Sequence, residues 1–529
     1  MSTATVLDSR IASDTRVTIV IAAAVTVLLG AGLLYIASEL YEDLLLAPLH
    51  SNLLYVLLGI ALLIALGFEF VNGFHDTANA VATVIYTHSL PPNLAVVWSG
   101  LFNFLGVLVS SGAVAFGIVS LLPVELILQV GTAAGFAMGS RCSARRSSGT
   151  WAPGISACLL ELAHARRIDY RRRPDQPAAR GACARHQRRR LGAGDRGWPV
   201  VAVFTDHRVP GGGAVALVAK SLIPVPALYR APDGRLPPPF WVRSLLVLTC
   251  TGVSFAHGSN DGQKGMGLIM LVLIGTVPTV YALNPDYTRD QVAAFAQLSR
   301  QAMTVLDAHD ADGPAPVNYH SLLTRYIQTR SKPPEAMQAL KLLAGHIADN
   351  VAYFGGLAKM PEEQTKNIRN DMYLASETLR FLLRSGGPDL SDTERTVLMK
   401  YRAALDDATK FIPLWVKIAV AMALGLGTMI GWKRIVVTVG EKIGKEHLTY
   451  GQGAAAEIVA MNTIAAADMF GLPVSTTHVL SSGVAGTMAA NGSGLQRSTV
   501  RSLILAWVLT LPASIVLSGC LYALFEWLF

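Results

Sequence analysis

Residues 72–80 are NGFHDTANA, and residues 256–265 are AHGSNDGQKG; both stretches lie inside long apolar runs. Each contains one aspartate, Asp76 or Asp261, which follows a polar residue and has glycine close by. A carboxylate within a membrane-spanning segment costs about 2.5–3.5 kcal/mol even on mild insertion scales. Because the chain accepts this cost twice, in two similar motifs, we predict one polar site that is built from two related halves.

The composition is that of a helical membrane protein. Hydrophobic residues make up 52% of the 529 residues and charged residues 15%, against about 25% charged residues in soluble proteins. Six apolar runs approach or exceed the roughly 20 residues that cross a bilayer; they are residues 17–36, 52–70, 94–122, 245–283, 411–432 and 502–529. The predicted fold class is therefore an all-α polytopic membrane protein rather than a β-barrel, whose strands alternate in polarity over about 10 residues.

Two other features narrow the class. The first apolar run is longer than the roughly 7–15 apolar residues of a signal peptide, so we interpret it as a retained helix. The five cysteines form no CxxC pair, which argues against a disulfide framework or a zinc site.

Changes in composition divide the chain into five parts. The first part is a membrane block with an extra N-terminal helix, and the second is an Arg-rich segment that interrupts it. A further membrane block carries the second aspartate motif, and a helical insert with balanced charge, predicted to be soluble, follows it. A C-terminal membrane block completes the second repeat. In order, the five parts are residues 1–140, 141–212, 213–283, 284–410 and 411–529.

The Arg-rich segment holds most of the basic charge. Residues 141–208 contain fifteen arginines and no lysine. The basicity is therefore no general clue to an anionic partner, and we expect no nucleic acid. A tail that binds nucleic acid or lipid is one interpretation of this segment, and a disordered loop is another.

A third interpretation is that residues 141–212 are the remainder of the first repeat, translated in the wrong frame. Permitted codons for residues 157–173, read one nucleotide later, spell a membrane-like peptide that is similar to residues 473–486. If the protein is made with this segment, half of the site is lost and transport is impaired. Sequencing of the gene tests the hypothesis, because a shifted frame over this segment alone requires a compensating pair of insertions or deletions.

The aspartates and a run of hydroxyls are the first candidates for the site. Because a carboxylate repels an oxyanion, we expect Asp76 and Asp261 to hold a coupling cation, a proton or Na⁺. The alternative is that each aspartate caps a half-helix. Ser475, Thr476 and Thr477 follow a proline, and we expect them to bind an oxyanion at a half-helix N-terminus. The glycines of the motifs and Pro473 are expected to break or cap membrane helices.

Other polar residues leave alternatives open. We expect Asn79 and Asn260 either to bind substrate or to join helices through hydrogen bonds. Lys264 neutralises the substrate or pairs with an aspartate. The histidines shuttle protons or join helices; they are His75, His257 and His478. We expect no catalytic residue, resident metal or cofactor.

Two further classes remain as alternatives to a transporter. A metal-dependent phosphohydrolase would need further His and Asp ligands on soluble helices, and His75-Asp76 lies in an apolar run instead. A membrane sensor that uses residues 284–410 as its output rests on the size of that insert alone.

Residues 72–86, 257–274 and 471–487 resemble the PiT family of inorganic phosphate transporters, especially the bacterial low-affinity members. The resemblance implies two inverted repeats with about 10–12 transmembrane helices, some of them broken or re-entrant. It also implies a secondary transporter, not an enzyme, that imports phosphate or a metal–phosphate complex by proton symport at the bacterial inner membrane. Sulfate or another oxyanion is the alternative substrate, Na⁺ the alternative coupling ion, and a homodimer one possible assembly.

The same resemblance assigns roles to residues that match the family's motifs. It implies that Ser475, Thr476 and Thr477 contact phosphate. It implies that the Asn/Asp motifs contact the substrate or the cation, at Asp76, Asn79, Asn260 and Asp261. His75, Lys264 and His478 are expected to support the site. The chain departs from the family because the first hydroxyl-rich element is missing from residues 141–212.

Overall fold

The computed structural model describes most of the chain outside the Arg-rich segment. The described residues are 15–46, 52–119, 208–223, 225–229, 232, 237–285, 287–309, 316, 318–329, 335–354, 357, 360–384, 390–430 and 448–528. Almost all of the predicted 141–212 segment lies outside them.

Helices dominate the described residues, with one 3₁₀ turn at Pro226–Tyr229. In chain order the helices are α1 Thr15–Leu46, α2 Asn52–Tyr86, α3 Pro92–Val109, α4 Ala113–Val119, α5 Arg208–Leu222, α6 Phe240–Thr276, α7 Pro278–Tyr281, α8 Arg289–Ala308, α9 Tyr319–Thr329, α10 Ala336–Phe354, α11 Glu362–Arg384, α12 Asp392–Thr409, α13 Leu414–Met429, α14 Tyr450–Met469, α15 Thr476–Ala490 and α16 Arg497–Leu528.

Five described helices are long and apolar enough to cross a membrane. They are α2, α3, α6, most of α1 and the first two-thirds of α16. A sixth is obtained if α12 and α13, which meet at 72°, are counted as one bent span. The chain is therefore a helical, multi-pass membrane protein, and the total of about 10–12 helices stays a prediction.

The two aspartate motifs lie inside continuous helices. Helix α2 runs for 35 residues through Asp76, and α6 runs for 37 residues through Asp261. The prediction that glycines break the helices at these motifs is therefore wrong. A helical glycine costs about 1 kcal/mol relative to alanine, and neighbouring helices that pack against these glycines offset so small a cost.

A break does occur beside the hydroxyl run. Helix α14 ends at Met469 and α15 begins at Thr476, and a short segment without regular structure joins them. Gly471 makes the turn with a φ of +65°, a conformation that side chains other than glycine rarely adopt. We call residues 470–475 the α14–α15 turn.

Helices α8 to α12 pack around a core of their own, within the predicted insert. Capping boxes begin two of these helices, with Thr288 before α8 and Ser391 before α12. Asp371 joins three helices, because it accepts hydrogen bonds from His320 at 2.7 Å and from His346 at 3.0 Å. The solubility of this region stays a prediction.

Helix α5 belongs to the membrane part although it begins inside the predicted Arg-rich range. It packs against α14 and α15, and a Cβ at Gly213 would lie 3.2 Å from the carbonyl oxygen of Gly486. The membrane core gathers α2, α6, α14 and α15 on one side and α2, α6 and α13 on the other. Helices α2, α3 and α6 contribute to both clusters. Along α2 and α6, each motif aspartate lies between the residues that the helix contributes to the two clusters.

Candidate functional site

Asp76 and Asp261 come together between α2 and α6, as the sequence predicts. Both are buried, and His257 lies between them. Its Nε2 is 3.7 Å from Asp76 Oδ2 and 3.6 Å from Asp261 Oδ2. One ligand atom from each of the three residues lies within 4.8 Å of the others. Two carboxylate oxygens and an imidazole nitrogen can therefore bind one cation, although the sequence indicated no metal site.

The two motifs bind each other reciprocally. Asn72 stands four residues before Asp76, and its Nδ2 donates to Asp261 Oδ2 at 3.3 Å. His257 stands four residues before Asp261 and approaches Asp76 as well as Asp261. Each aspartate thus has a neighbour from the other motif, so the two motifs form one polar cluster.

A chain of hydrogen bonds sets the tautomer of His257. The Thr428 hydroxyl donates to the Leu424 carbonyl at 2.8 Å and accepts from Asn103 Nδ2 at 3.1 Å. The Asn103 amide oxygen therefore faces His257 Nδ1 at 2.8 Å and accepts its proton. Among the described residues Nε2 has no hydrogen-bond partner. Neutral His257 would direct a lone pair at two carboxylates, so a proton or another cation fits at Nε2.

Lys264 pairs with Asp261, which is one of the two roles left open by the sequence. Its Nζ donates to Asp261 Oδ1 at 2.7 Å and to the carbonyl oxygen of Val474 at 2.6 Å, and it is fully buried. Removing one member of a buried ion pair typically costs about 3–5 kcal/mol. Lys264 therefore neutralises Asp261 and holds the α14–α15 turn.

The hydroxyl run faces Asp76. Thr476 Oγ1 donates to Asp76 Oδ2 at 3.1 Å, and Thr477 Oγ1 donates to Asp76 Oδ1. Ser475 is the N-cap of α15, where its Oγ accepts from the backbone N–H of His478 at 3.4 Å. Its own O–H remains a donor. The N-terminus of α15 and the hydroxyls of Thr476 and Thr477 thus lie next to a carboxylate.

Both ends of the Asn260 amide form hydrogen bonds with the α14–α15 turn. Its Nδ2 donates to the Leu472 carbonyl at 3.1 Å, and its Oδ1 accepts from the Val474 N–H at 3.3 Å. The sequence left two roles open for Asn260, substrate binding and the joining of helices through hydrogen bonds. The observed contacts are of the second kind.

Three predicted residues are not brought to the cluster by any described side-chain contact. His75 is exposed, and its ring meets that of Phe74 edge to face at 5.3 Å. The backbone N–H of His478 donates to Ser475 Oγ and closes the cap of α15. The side chain of Asn79 lies outside the described residues.

His257 is the central histidine, whereas the sequence favoured His75 and His478 as supporting residues. A signal was available, because His257 stands at the same motif position as Asn72 and one helical turn from Asp261. Direct adjacency to an aspartate, as in His75-Asp76, turns the two side chains to different faces of a helix.

The same motif position makes a close helix crossing in both halves. A Cβ at Gly73 of α2 would overlap the carbonyl oxygen of Leu424 in α13. A Cβ at Gly258 of α6 would overlap that of Asn103 in α3. Both glycines stand three residues before the motif aspartate, so the backbones meet at equivalent points.

Glycines of the partner helices α13 and α3 make equivalent close contacts with the backbones of α2 and α6. A Cβ at Gly427 of α13 would overlap the Phe70 carbonyl oxygen, and one at Gly106 of α3 would overlap that of Phe255. Phe70 and Phe255 each stand six residues before the motif aspartate. The α2–α13 pair and the α6–α3 pair therefore cross in the same register.

Two buried glutamates were missed by the sequence reasoning. Glu457 of α14 is fully buried and accepts hydrogen bonds from the hydroxyls of Thr83 and Thr249. Glu69 of α2 is also fully buried and packs against Gly265. The available signal was the same as for the motifs, a lone carboxylate in an apolar stretch. Such a group can take up a proton or a cation.

Ionisable side chains that converge among apolar helices define a membrane transport protein, because they mark paths for ions and charged solutes. Residues 72–153 and 223–518 match the model of the phosphate transporter family. The chain belongs to this family. The residues between the two matched ranges overlap the Arg-rich segment, and its frameshift origin stays a prediction.

Curated relatives match nearly the whole chain. It is 37% identical to the low-affinity inorganic phosphate transporter PitA of Escherichia coli (strain K12), over 90% of this chain and 97% of the relative. It is 36% identical to PitB of the same strain, over 88% and 96%. A transporter of the same description from Buchnera aphidicola subsp. Acyrthosiphon pisum is 33% identical, over 89% and 96%.

One solved structure, described as "The sodium-dependent phosphate transporter", is 14% identical, with coverage of 90% of this chain and 100% of that one. The TM-score of this match is 0.33.

Proposed function

We propose that this chain imports inorganic phosphate across the bacterial inner membrane by symport with a cation, and that the coupling ion is a proton rather than Na⁺. The relatives named above are inorganic phosphate transporters, which supports the substrate. The observation that carries the mechanism is the contact of Asp76 with the hydroxyls of Thr476 and Thr477.

The phosphate site in this proposal is the N-terminus of α15. Backbone N–H groups and the hydroxyls of Ser475, Thr476 and Thr477 supply donors there, and a helix N-terminus attracts anions. The Asp76 carboxylate already binds two of these hydroxyls. Asp76 and phosphate therefore compete for the same donors.

Cation binding relieves this competition. A proton or cation held by Asp76 and His257 removes the negative charge that repels phosphate. Protonated Asp76 also becomes a donor, so the threonine hydroxyls are free to turn to the anion. Phosphate then binds well only when the cation is present, which is the requirement for symport.

The cluster also suits a metal–phosphate complex as substrate. Carboxylates and imidazole are ligands of divalent transition metals, and the three candidate ligand atoms lie beside the proposed phosphate site. The metal travels as cargo in this version and takes the place of the coupling charge.

We also propose that α2 with α3 and α6 with α13 are equivalent parts of two inverted repeats. The matched overlaps at Gly73 and Gly258 support it, as do the reciprocal contacts of Asn72 and His257. Helices α8 to α12 lie between α6 and α13, so this connection is longer than the one between α2 and α3.

Uptake of labelled phosphate into proteoliposomes tests the function. We expect an inward proton gradient to drive accumulation by the unaltered chain. Asp76→Asn should reduce gradient-driven uptake at least about tenfold, since one lost charge interaction of 1.4 kcal/mol has that effect. Asp349→Asn is the matched control, because Asp349 is exposed on α10 and far from the motifs in sequence.

Two results would contradict the proposal. Uptake by Asp76→Asn that keeps its dependence on the gradient would exclude the coupling role. Unlabelled sulfate that competes as well as unlabelled phosphate would favour a different oxyanion as the substrate. Replacing the proton gradient with a Na⁺ gradient separates the two coupling ions.

A further inference from the structure

Asp468 makes a hydrogen-bonded contact that neither the aspartate motifs nor the hydroxyl run explains. It lies in the last turn of α14 and is partly buried. Ser259 Oγ donates to its Oδ2 at 2.6 Å, and Gln263 Nε2 donates to its Oδ1 at 2.5 Å. Both donors belong to α6, on either side of Asp261.

Gln263 extends this contact to a third helix. Its Oε1 accepts from the backbone N–H of Val114 in α4 at 2.8 Å, and its Nε2 also donates to the Ser259 carbonyl at 2.9 Å. Gln263 is fully buried. The Val114 N–H can only donate, so the amide oxygen must face α4 and the amide NH₂ must face Asp468.

The contact lies where the chain enters the α14–α15 turn. The Asp468 carbonyl accepts from the Gly471 N–H at 3.0 Å, and a Cβ at Gly471 would lie 3.0 Å from the Ala113 carbonyl oxygen of α4. The turn is thus held against α6 and α4 before it reaches Thr476 and Thr477.

We propose that the Asp468–Gln263 hydrogen bond is a positioning contact for the phosphate site, because it sets where the α14–α15 turn delivers the threonine hydroxyls. This inference rests on the proposed function. Asp468 touches neither the substrate nor the cation in this role. It acts through the backbone that carries Thr476 and Thr477.

The polarity of the contact provides the test. Gln263→Glu keeps an acceptor for Val114 but turns a second carboxylate toward Asp468. We expect the KM for phosphate to rise at least about tenfold, the loss expected for a hydrogen bond to a charged group. Adding Asp468→Asn places an amide at position 468 that can donate to the carboxylate at position 263, so the direction of the hydrogen bond is reversed. The KM of this double variant should return to within about threefold of the unaltered chain.

A second double variant, Gln263→Glu with Asp468→Ala, is the matched control. It has the same net charge as the restored pair but no side-chain amide at position 468. We expect its KM to stay high, with a smaller change in kcat. The inference is overturned if alanine and asparagine restore uptake equally, since charge alone would then explain the result, or if Gln263→Glu leaves the KM unchanged.

Thermal unfolding of the purified full chain separates this inference from the proposed function. If the unaltered chain takes up no phosphate, the proposed function fails. The contact is then judged by the unfolding midpoint, which Gln263→Glu should lower and Asp468→Asn, but not Asp468→Ala, should restore. Equal midpoints for the two double variants would overturn the contact itself.

Discussion

At the scale of single residues, the two motif aspartates are equivalent in sequence but not in surroundings. Asp261 pairs with the buried ammonium of Lys264, whereas Asp76 accepts hydrogen bonds from threonine hydroxyls, and His257 approaches both. Lys264 and Asn79 occupy the same position in the two motifs. The charge of Asp261 is therefore already compensated, and in the proposed symport Asp76 is the carboxylate whose charge depends on the coupling ion.

The Lys264–Asp261 pair should reveal itself when one member is removed. Lys264→Gln leaves a buried carboxylate without its cation, and we expect a loss of about 3–5 kcal/mol in the free energy of unfolding. Lys264→Gln with Asp261→Asn removes both charges and should be markedly more stable than Lys264→Gln alone. The unfolding midpoint in detergent measures both variants, and a double variant no more stable than the single one would refute the pairing.

Much of the site was predictable from residue types. A carboxylate in an apolar run is so costly that Asp76 and Asp261 had to lie inside the protein. Pro473 and the three hydroxyls indicated a half-helix N-terminus, and α15 begins at Thr476. The central role of His257 was not predictable in this way. Spacing defines the faces of one helix, but the neighbouring helix decides which face is buried, and that contact depends on residues far away in the sequence.

At the scale of helices, glycine serves as a contact surface rather than as a hinge. The sequence suggested broken helices at both motifs, and the structure has backbones that touch at Gly73 and Gly258 instead. A glycine signal alone does not separate these outcomes, because a small residue permits both a bend and a close approach. Close backbone contact on one face of α2 and of α6 holds these helices against α13 and α3.

A pair of alanine variants on α2 tests this use of glycine. Gly73→Ala places a methyl group against the backbone of α13, which cannot turn aside as a side chain can, so we expect loss of folded protein. Gly59→Ala on the same helix adds a methyl group in open space and should be neutral or slightly stabilising. The yield of monodisperse protein compares them, and equal yields would contradict the crossing.

At the scale of the whole molecule, the insert leaves the membrane part and returns to it at one place. The Asn284 N–H donates to the Ala408 carbonyl at 2.9 Å. Nearby, Asp43 of α1 accepts from Tyr281 Oη at 2.5 Å and from Trp415 Nε1 at 3.3 Å. The first helix thus binds the chain just before the insert and just after it.

This geometry predicts that the insert can be removed. A short Gly/Ser linker in place of residues 286–406 spans adjacent ends, so loop closure costs little. We expect the shortened chain to remain folded with an unfolding midpoint near that of the full chain, because α8 to α12 keep a separate core. Aggregation of the shortened chain, with Asp43 and its partners intact, would show that the membrane part depends on the insert.

The reciprocal contacts of Asn72 with Asp261 and of His257 with Asp76 tie the histories of the two halves together. In the proposed arrangement of two repeats, a change at one position is tolerated only if its partner in the other repeat changes as well. Positions 72 and 261, and positions 257 and 76, should therefore covary across descendants. Selection would then act on each pair of contacting residues and not on either motif alone.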